Sequence, residues 1–166
     1  MILEAPVVQL PEARDVAPRL ATGAFLLNSG LMKLRADRAT AEGVHGMAVV
    51  AYPFLNRVPA ERFTRLLACS EIAVGGALLT PFVPTRLAGL ALTGFSGGLV
   101  GLYLRTPGMR QPKSLRPTQD GFPLAKDFWM LGIGLGFLGA ARPWKRAASR
   151  RRRAAFSRCR RRCCRR

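Results

Sequence analysis

Four stretches of the chain are apolar with almost no charge. "LATGAFLLNSGLM" sits between Arg19 and Lys33 and extends to about 16–34. "LLACSEIAVGGALLTPFVP" covers 66–84 with Glu71 as its one charge. "LAGLALTGFSGGLVGLYL", residues 87–104, and "FWMLGIGLGFLGAA", residues 128–141, carry none. Helices of a soluble bundle keep a polar face, with apolar residues at about three positions in seven. The third and fourth stretches have no such face. Helices that are apolar all round belong in lipid or deep inside a large protein, and 166 residues cannot bury four of them. The pattern predicts an all-α membrane protein, a bundle of four transmembrane helices.

Crossing a bilayer takes about 20 residues. The second and third stretches meet that length. The first and fourth meet it when the long side chains at their ends, Arg19 and Lys33 or Lys126 and Arg142, carry their charges out to the interface. Trp129 and Trp144 are then the expected interfacial anchors of the fourth. Between spans one and two, "VHGMAVVAYPFL" is apolar but too short to cross, which predicts an interfacial or re-entrant helix in the first loop. The link "PFVPTR" is short and pairs spans two and three. Residues 105–127 hold four prolines and read as an irregular polar loop, with Asp120-Gly121 as a turn and Asp127 as the cap of the last helix.

Charge changes this picture at one end only. The formal net charge is +18, but from Arg142 onward there are 13 Lys and Arg and no acidic residue, leaving 14 basic and 9 acidic residues before it. The chain therefore divides into a polar N-terminal segment, 1–15, a membrane domain, 16–141, and an Arg- and Cys-rich basic tail, 142–166, without fixed structure. Such a tail beside a span suits an anionic leaflet and requires no nucleic acid. Its composition also fits out-of-frame translation of GC-rich DNA, a question for the gene's nucleotide sequence. With the tail counted, the positive-inside rule places both termini on the cytoplasmic side of a multi-pass protein of the cell membrane. The N-terminal residues contain Glu4, Glu12 and Asp15 and do not read as a cleavable signal peptide.

Candidate chemistry is sparse. Glu71 is the leading residue, because a carboxylate inside an apolar helix must be protonated, paired or turned to a polar cavity. It shares a helical face with Leu67, Gly75 and Leu78, and Gly75 leaves room for a neighbouring helix. Its candidate partners are Asn28 and Ser29 in the first span and Lys33 or Arg19 at that span's ends. A structural interhelical bond and a proton-relay or ligand-binding role both fit. His45, the one histidine, reads as an interfacial loop residue, with a general base or a contact for a redox partner as the alternatives. Cys69 reads as a small buried hydrophobe. Gly94 with Gly98, Gly97 with Gly101 and Gly132 with Gly136 are small-residue pairs for close helix packing or for a homo-oligomer. No metal site is expected: Cys159, Cys163 and Cys164 form no C-x-x-C and have no nearby histidine or carboxylate. No catalytic grouping, phosphate loop or covalent cofactor motif is present.

"RLATGAFLLNSGLMKL", with Gly30 three residues before Lys33, resembles the opening span of the DoxX family of membrane proteins. "RLLACSEIAVGGALLTPFVPTRLAGLAL", with Glu71, Gly75, Gly76, Thr85 and Arg86, resembles that family's second and third spans. The exit "GLYLRTPGMRQPKSLRPTQDG" is similar to an actinobacterial branch. The resemblance covers about residues 16–141 and implies a four-span bundle in the cytoplasmic membrane. It further implies a membrane subunit or partner of a quinone-linked thiol or sulfur redox complex, with redox proteins as partners. Glu71 and Lys33 carry over as positions of the family pattern, without an assigned role. The rival expectation is a non-enzymatic scaffold that anchors soluble partners.

Overall fold

The computed structural model describes residues 11–111 and 113–140, and among them every regular element is helical. The basic tail, Trp144 and the three tail cysteines lie outside the described residues. Helix α1 spans Ala13–Leu34, α2 Arg38–Ala51, α3 Ala60–Leu79, α4 Thr85–Arg105, α5 Phe122–Ala125 and α6 Asp127–Ala140. A 3-10 turn, Pro53–Arg57, follows α2. The all-α class expected from the apolar pattern is what the chain adopts. One helix among the described residues, α4, is long and apolar enough to cross a membrane by length and composition. Helices α1 and α3 are comparably long, at 22 and 20 residues, but carry charges that α4 lacks along its length.

The helices associate chiefly as two pairs, α1 on α3 and α4 on α6, with α2 laid against α3 and α4. One core joins the pairs, built from Leu26, Val74, Leu78, Ala88, Leu92, Met130 and Phe137. A second, smaller cluster holds α2 to α4 through Ala48, Ala51 and Leu102, with Phe63 and Leu124 beside it. The short helix in the first loop is thus a packed element. The 119–121 turn forms where Asp120-Gly121 predicts it.

Close approach within each pair depends on glycine. A Cβ on Gly75 would lie 2.8 Å from the Gly23 carbonyl oxygen and 2.8 Å from the Leu27 nitrogen, so α1 and α3 touch backbone to backbone there. On the other pair, Gly89 faces Gly134 and Phe137. Gly75 is one of the glycines expected at a helix contact; the small-residue pairs expected to pack mostly do not. Among the described residues, Gly94, Gly97, Gly98, Gly132 and Gly136 have nothing close to where a Cβ would be, and Gly101 meets the hydroxyl end of the Tyr52 ring. Spacing identifies a row of small residues but not which row turns inward. The large side chains Met130 and Phe137 set the rotation of α6 and bring Gly134 to the seam. Gly75→Ala is accordingly expected to destabilise by about 1–3 kcal/mol through backbone overlap. Gly97→Ala, in open space, is expected to be neutral or to stabilise by up to about 1 kcal/mol through helix propensity. Unfolding of the two variants in detergent, followed by circular dichroism, measures the contrast.

Arg19 overturns a sequence expectation. It neither reaches an interface nor meets Glu71; it is 2% exposed and clamps the end of α3. Its Nε donates to Leu78 O at 2.9 Å, one terminal nitrogen to Val83 O and Thr85 Oγ1, the other to Ala77 O and Thr80 O. All five guanidinium donors are used. The cause is local: a helix end leaves its last carbonyls without partners, and Pro81 and Pro84 bring no N–H to the following turn. Arg19 supplies the missing donors.

Candidate functional site

The site begins with Gly30. A Cβ there would lie 2.8 Å from Ala68 O and 3.1 Å from the Glu71 Cβ, so its absence lets the Glu71 stem lie directly against α1. Almost one turn further along α1, Lys33 reaches back over that contact. Its Nζ donates to Glu71 Oε1 and Oε2, both at 3.0 Å, and to Ser29 Oγ at 2.7 Å. The three ammonium donors are thereby satisfied. The Glu71 side chain is 5% exposed and that of Lys33 25%. Two charges taken out of water are sustained only by such geometry, with further hydrogen bonds to the charged groups.

The pair borders a mostly apolar cavity of about 240 Å³. Val44, Met47, Phe63, Leu67, Leu99 and Leu124 form its apolar walls, and Asp120 and Lys126 add charge at its margin. Lys33 also lines a polar cleft of about 240 Å³, together with Asp37, Arg38, Glu61 and Arg65. The lysine therefore lines both a polar cleft and a mostly apolar cavity. A larger concavity, about 460 Å³, lies in the 106–115 loop away from the pair. Size alone does not select the site, since that loop lacks the enclosed apolar walls beside a buried ion pair.

Lys126 and Asp127 complete the charged surroundings. Lys126 Nζ donates to Pro123 O at 2.8 Å, lies 5.8 Å from the Phe25 ring centroid, and approaches Asp127 Oδ1 at 3.7 Å. Asp127 is the first residue of α6 and does not cap it. Its side chain is fully buried, and neither carboxylate oxygen has a hydrogen-bond partner among the described residues. Glu71 and Lys33 lie within electrostatic range of it.

Of the candidate partners for Glu71, the fold brings Lys33 to it, with Ser29 bonded to Lys33, and leaves two others away. Asn28 is exposed, with its amide 3.6 Å from the Met32 sulfur. Arg19 serves the end of α3. His45 is outside the cavity wall: its Nε2 is 3.1 Å from Leu55 O and its ring packs on Phe63, itself a wall residue. Cys69 is exposed rather than buried, because Ala68 and Glu71 take the inward positions of α3. Sequence reasoning did not place Lys126 and Asp127 at the site. The one signal was two adjacent charges immediately before a wholly apolar helix.

At the polar cleft, Asp37 caps α2, accepting the Thr40 N–H at 2.9 Å. Hydrogen bonding from the Thr40 side chain and, after it, from this N–H favours the ionised form and holds the carboxyl below the usual carboxylate range. A depressed folded value contributes stability above the unfolded value and loses it as pH falls through the folded one. The protection of the Thr40 amide, its exchange rate set against the intrinsic rate at the same pH, is therefore expected to fall on acidification, and in Asp37→Ala to be low at every pH.

Compared with family models, curated proteins and solved structures, the chain matches none.

Proposed function

We propose that this is a four-span protein of the cell membrane that binds the head group of a quinone-like molecule beside Lys33 and Glu71. In this reading it acts as a membrane subunit or partner of a thiol or sulfur redox complex. The observation that carries it is the buried Lys33–Glu71 pair on the wall of an apolar cavity. The spans are α1, α3, α4 and α6, with α2 near the interface. The resemblance to the DoxX family in residues 16–141 supports the same reading, and both termini are placed in the cytoplasm.

The fit is chemical. Pockets that enclose a drug-sized ligand run about 300–1,000 Å³. At about 240 Å³ this cavity suits a ring-sized head group, with the remainder of the molecule in lipid. A quinone supplies a two-electron carrier that takes up two protons on reduction. Lys33 turns one N–H from Ser29 to a ring oxygen, Glu71 accepts from the hydroxyl of the reduced ring, and Phe63 provides an aromatic wall. The polar cleft shared by Lys33 gives protons a route to the pair.

Protein purified from membranes in mild detergent is expected to retain quinone, detectable in an organic extract. Membranes carrying Glu71→Gln are expected to lose thiosulfate-dependent quinone reduction. Normal activity in that variant, with no bound redox molecule in the wild type, would leave the scaffold as the better account.

A further inference from the structure

The loop between α4 and α5 carries a second concavity, separate from the Lys33–Glu71 cavity and of opposite character. It measures about 460 Å³ and is lined by Thr106, Gly108, Arg110, Gln111, Lys113 and Ser114, among others. Residues 105–119 contain four basic residues and no acidic one. Neither Arg110, Lys113 nor Arg116 forms an ion pair with any described residue. Proteins ordinarily neutralise or disperse such charge, and a concave group of unpaired cations attracts an anion.

The loop is also held in shape. Gln111 N–H donates to Arg116 O and Thr118 N–H to Met109 O, which folds the segment back on itself. Thr118 Oγ1 donates to Gly108 O at 2.6 Å, and the Tyr103 hydroxyl ties Leu115 O to α4 at 2.9 Å. Arg110 Nη2 donates to Leu104 O at 2.8 Å, which anchors the guanidinium at the end of α4 and leaves its other N–H groups free for a ligand. Lys113 adopts φ 56°, in the left-handed region that residues bearing a side chain seldom enter. Leu115, which lines this basic pocket, and Phe122, whose N–H donates to Thr118 O at the end of the same loop, are 65% and 72% exposed. Cations with exposed apolar residues beside them, at the end of the most apolar long helix, form the pattern of a membrane–water boundary.

We propose that this pocket binds the phosphate head group of an anionic phospholipid, with Arg110 and Lys113 on the phosphate and Leu115 and Phe122 against the acyl boundary. The lipid source rests on the bilayer reading; the affinity for a phosphate group does not. Occupation would fix the 105–126 loop, whose far end carries Lys126 and Asp120 on the margin of the Lys33–Glu71 cavity.

The test is native mass spectrometry of the full chain in neutral detergent, offered phosphatidylglycerol or phosphatidylcholine. One phosphatidylglycerol is expected to be retained in preference to phosphatidylcholine. Arg110→Gln with Lys113→Gln is expected to reduce that retention by at least about tenfold, since each basic residue near an anionic surface contributes measurably. Removing the same charge from the tail, Arg151→Gln with Arg152→Gln, is expected to change it less than about threefold. The charge-preserving pair Arg110→Lys with Lys113→Arg should restore it, and helicity by circular dichroism should be unchanged throughout. Equal retention of the two lipids, or equal losses from the loop and tail variants, would overturn the proposal. Displacement of the lipid by millimolar inorganic phosphate would also overturn it, assigning the pocket to a free anion. A carbonate wash of membranes reads the bilayer assignment separately: release of the chain sinks that reading whatever the lipid experiment shows.

Discussion

Arg19→Met is expected to destabilise the fold by about 3–5 kcal/mol, the combined cost of leaving several partly buried carbonyls without their donor. Methionine keeps much of the length and apolar stem of arginine, so the loss isolates the guanidinium. The carbonyls of Ala77, Leu78, Thr80 and Val83 would lose their side-chain donor together. Each polar group left buried without a partner costs about 1–3 kcal/mol, less where water can reach it. Arg19→Lys should recover only part, because one ammonium with three donors cannot span acceptors spread over the whole turn. Reversible unfolding in mixed micelles, followed by circular dichroism, gives the order wild type, then Lys, then Met. Equal stability of Arg19→Lys and wild type would mean that charge alone matters and the fork geometry does not. The consequence extends to the site, since the α3–α4 link that Arg19 clamps holds α3, and with it Glu71, in register with α1.

The second large effect separates structure from function at the ion pair. Lys33→Met removes the cation bonded to Glu71, a carboxylate that is nearly fully buried, and is expected to cost about 3–5 kcal/mol. Glu71→Gln should cost less, about 1–2 kcal/mol. Lys33 is a quarter exposed, keeps Ser29 and can turn to the polar cleft. Replacing both, Lys33→Met with Glu71→Leu, is expected to return stability close to wild type, because a buried pair can often be exchanged for apolar residues at little net cost. If the pair exists to bind a polar head group, that stable double variant should have lost quinone retention and thiosulfate-dependent quinone reduction. Unfolding and activity measured on the same preparations distinguish the cases. A double variant that is stable and fully active would make the pair structural and remove the basis for the proposed function.

The helical class was legible in the chain because it depends on local pattern. The apolar stretch at 87–104 and α4 at Thr85–Arg105 agree closely, and the second apolar stretch differs from α3 mainly at its ends. There, charged residues 61–65 extend the helix at its start, while Thr80 and two prolines stop it before 84. Glu71 was legible as a site residue for a similar reason: a carboxylate in an apolar helix is anomalous whatever surrounds it. Lys33 could be named as a partner but not separated from Asn28, Ser29 or Arg19. All four lie on one helix, and the choice depends on how that helix is rotated.

What the sequence by itself determined is therefore where helices form, how apolar each one is, and that Glu71 needs a partner. Rotation and pairing were decided only in the tertiary structure. Gly30, together with Gly75, whose room for a neighbouring helix the sequence had shown, marks the α1–α3 seam, and that seam puts Lys33 over Glu71 while turning Asn28 outward. Arg19 meets acceptors 58–66 residues away, and the charges of Lys126 and Asp127 come to lie beside an ion pair on two other helices. Periodicity registers which side chains share a face of one helix. Contacts between helices depend on how large side chains fill the space between them, and that sum is made only when all the helices are packed together.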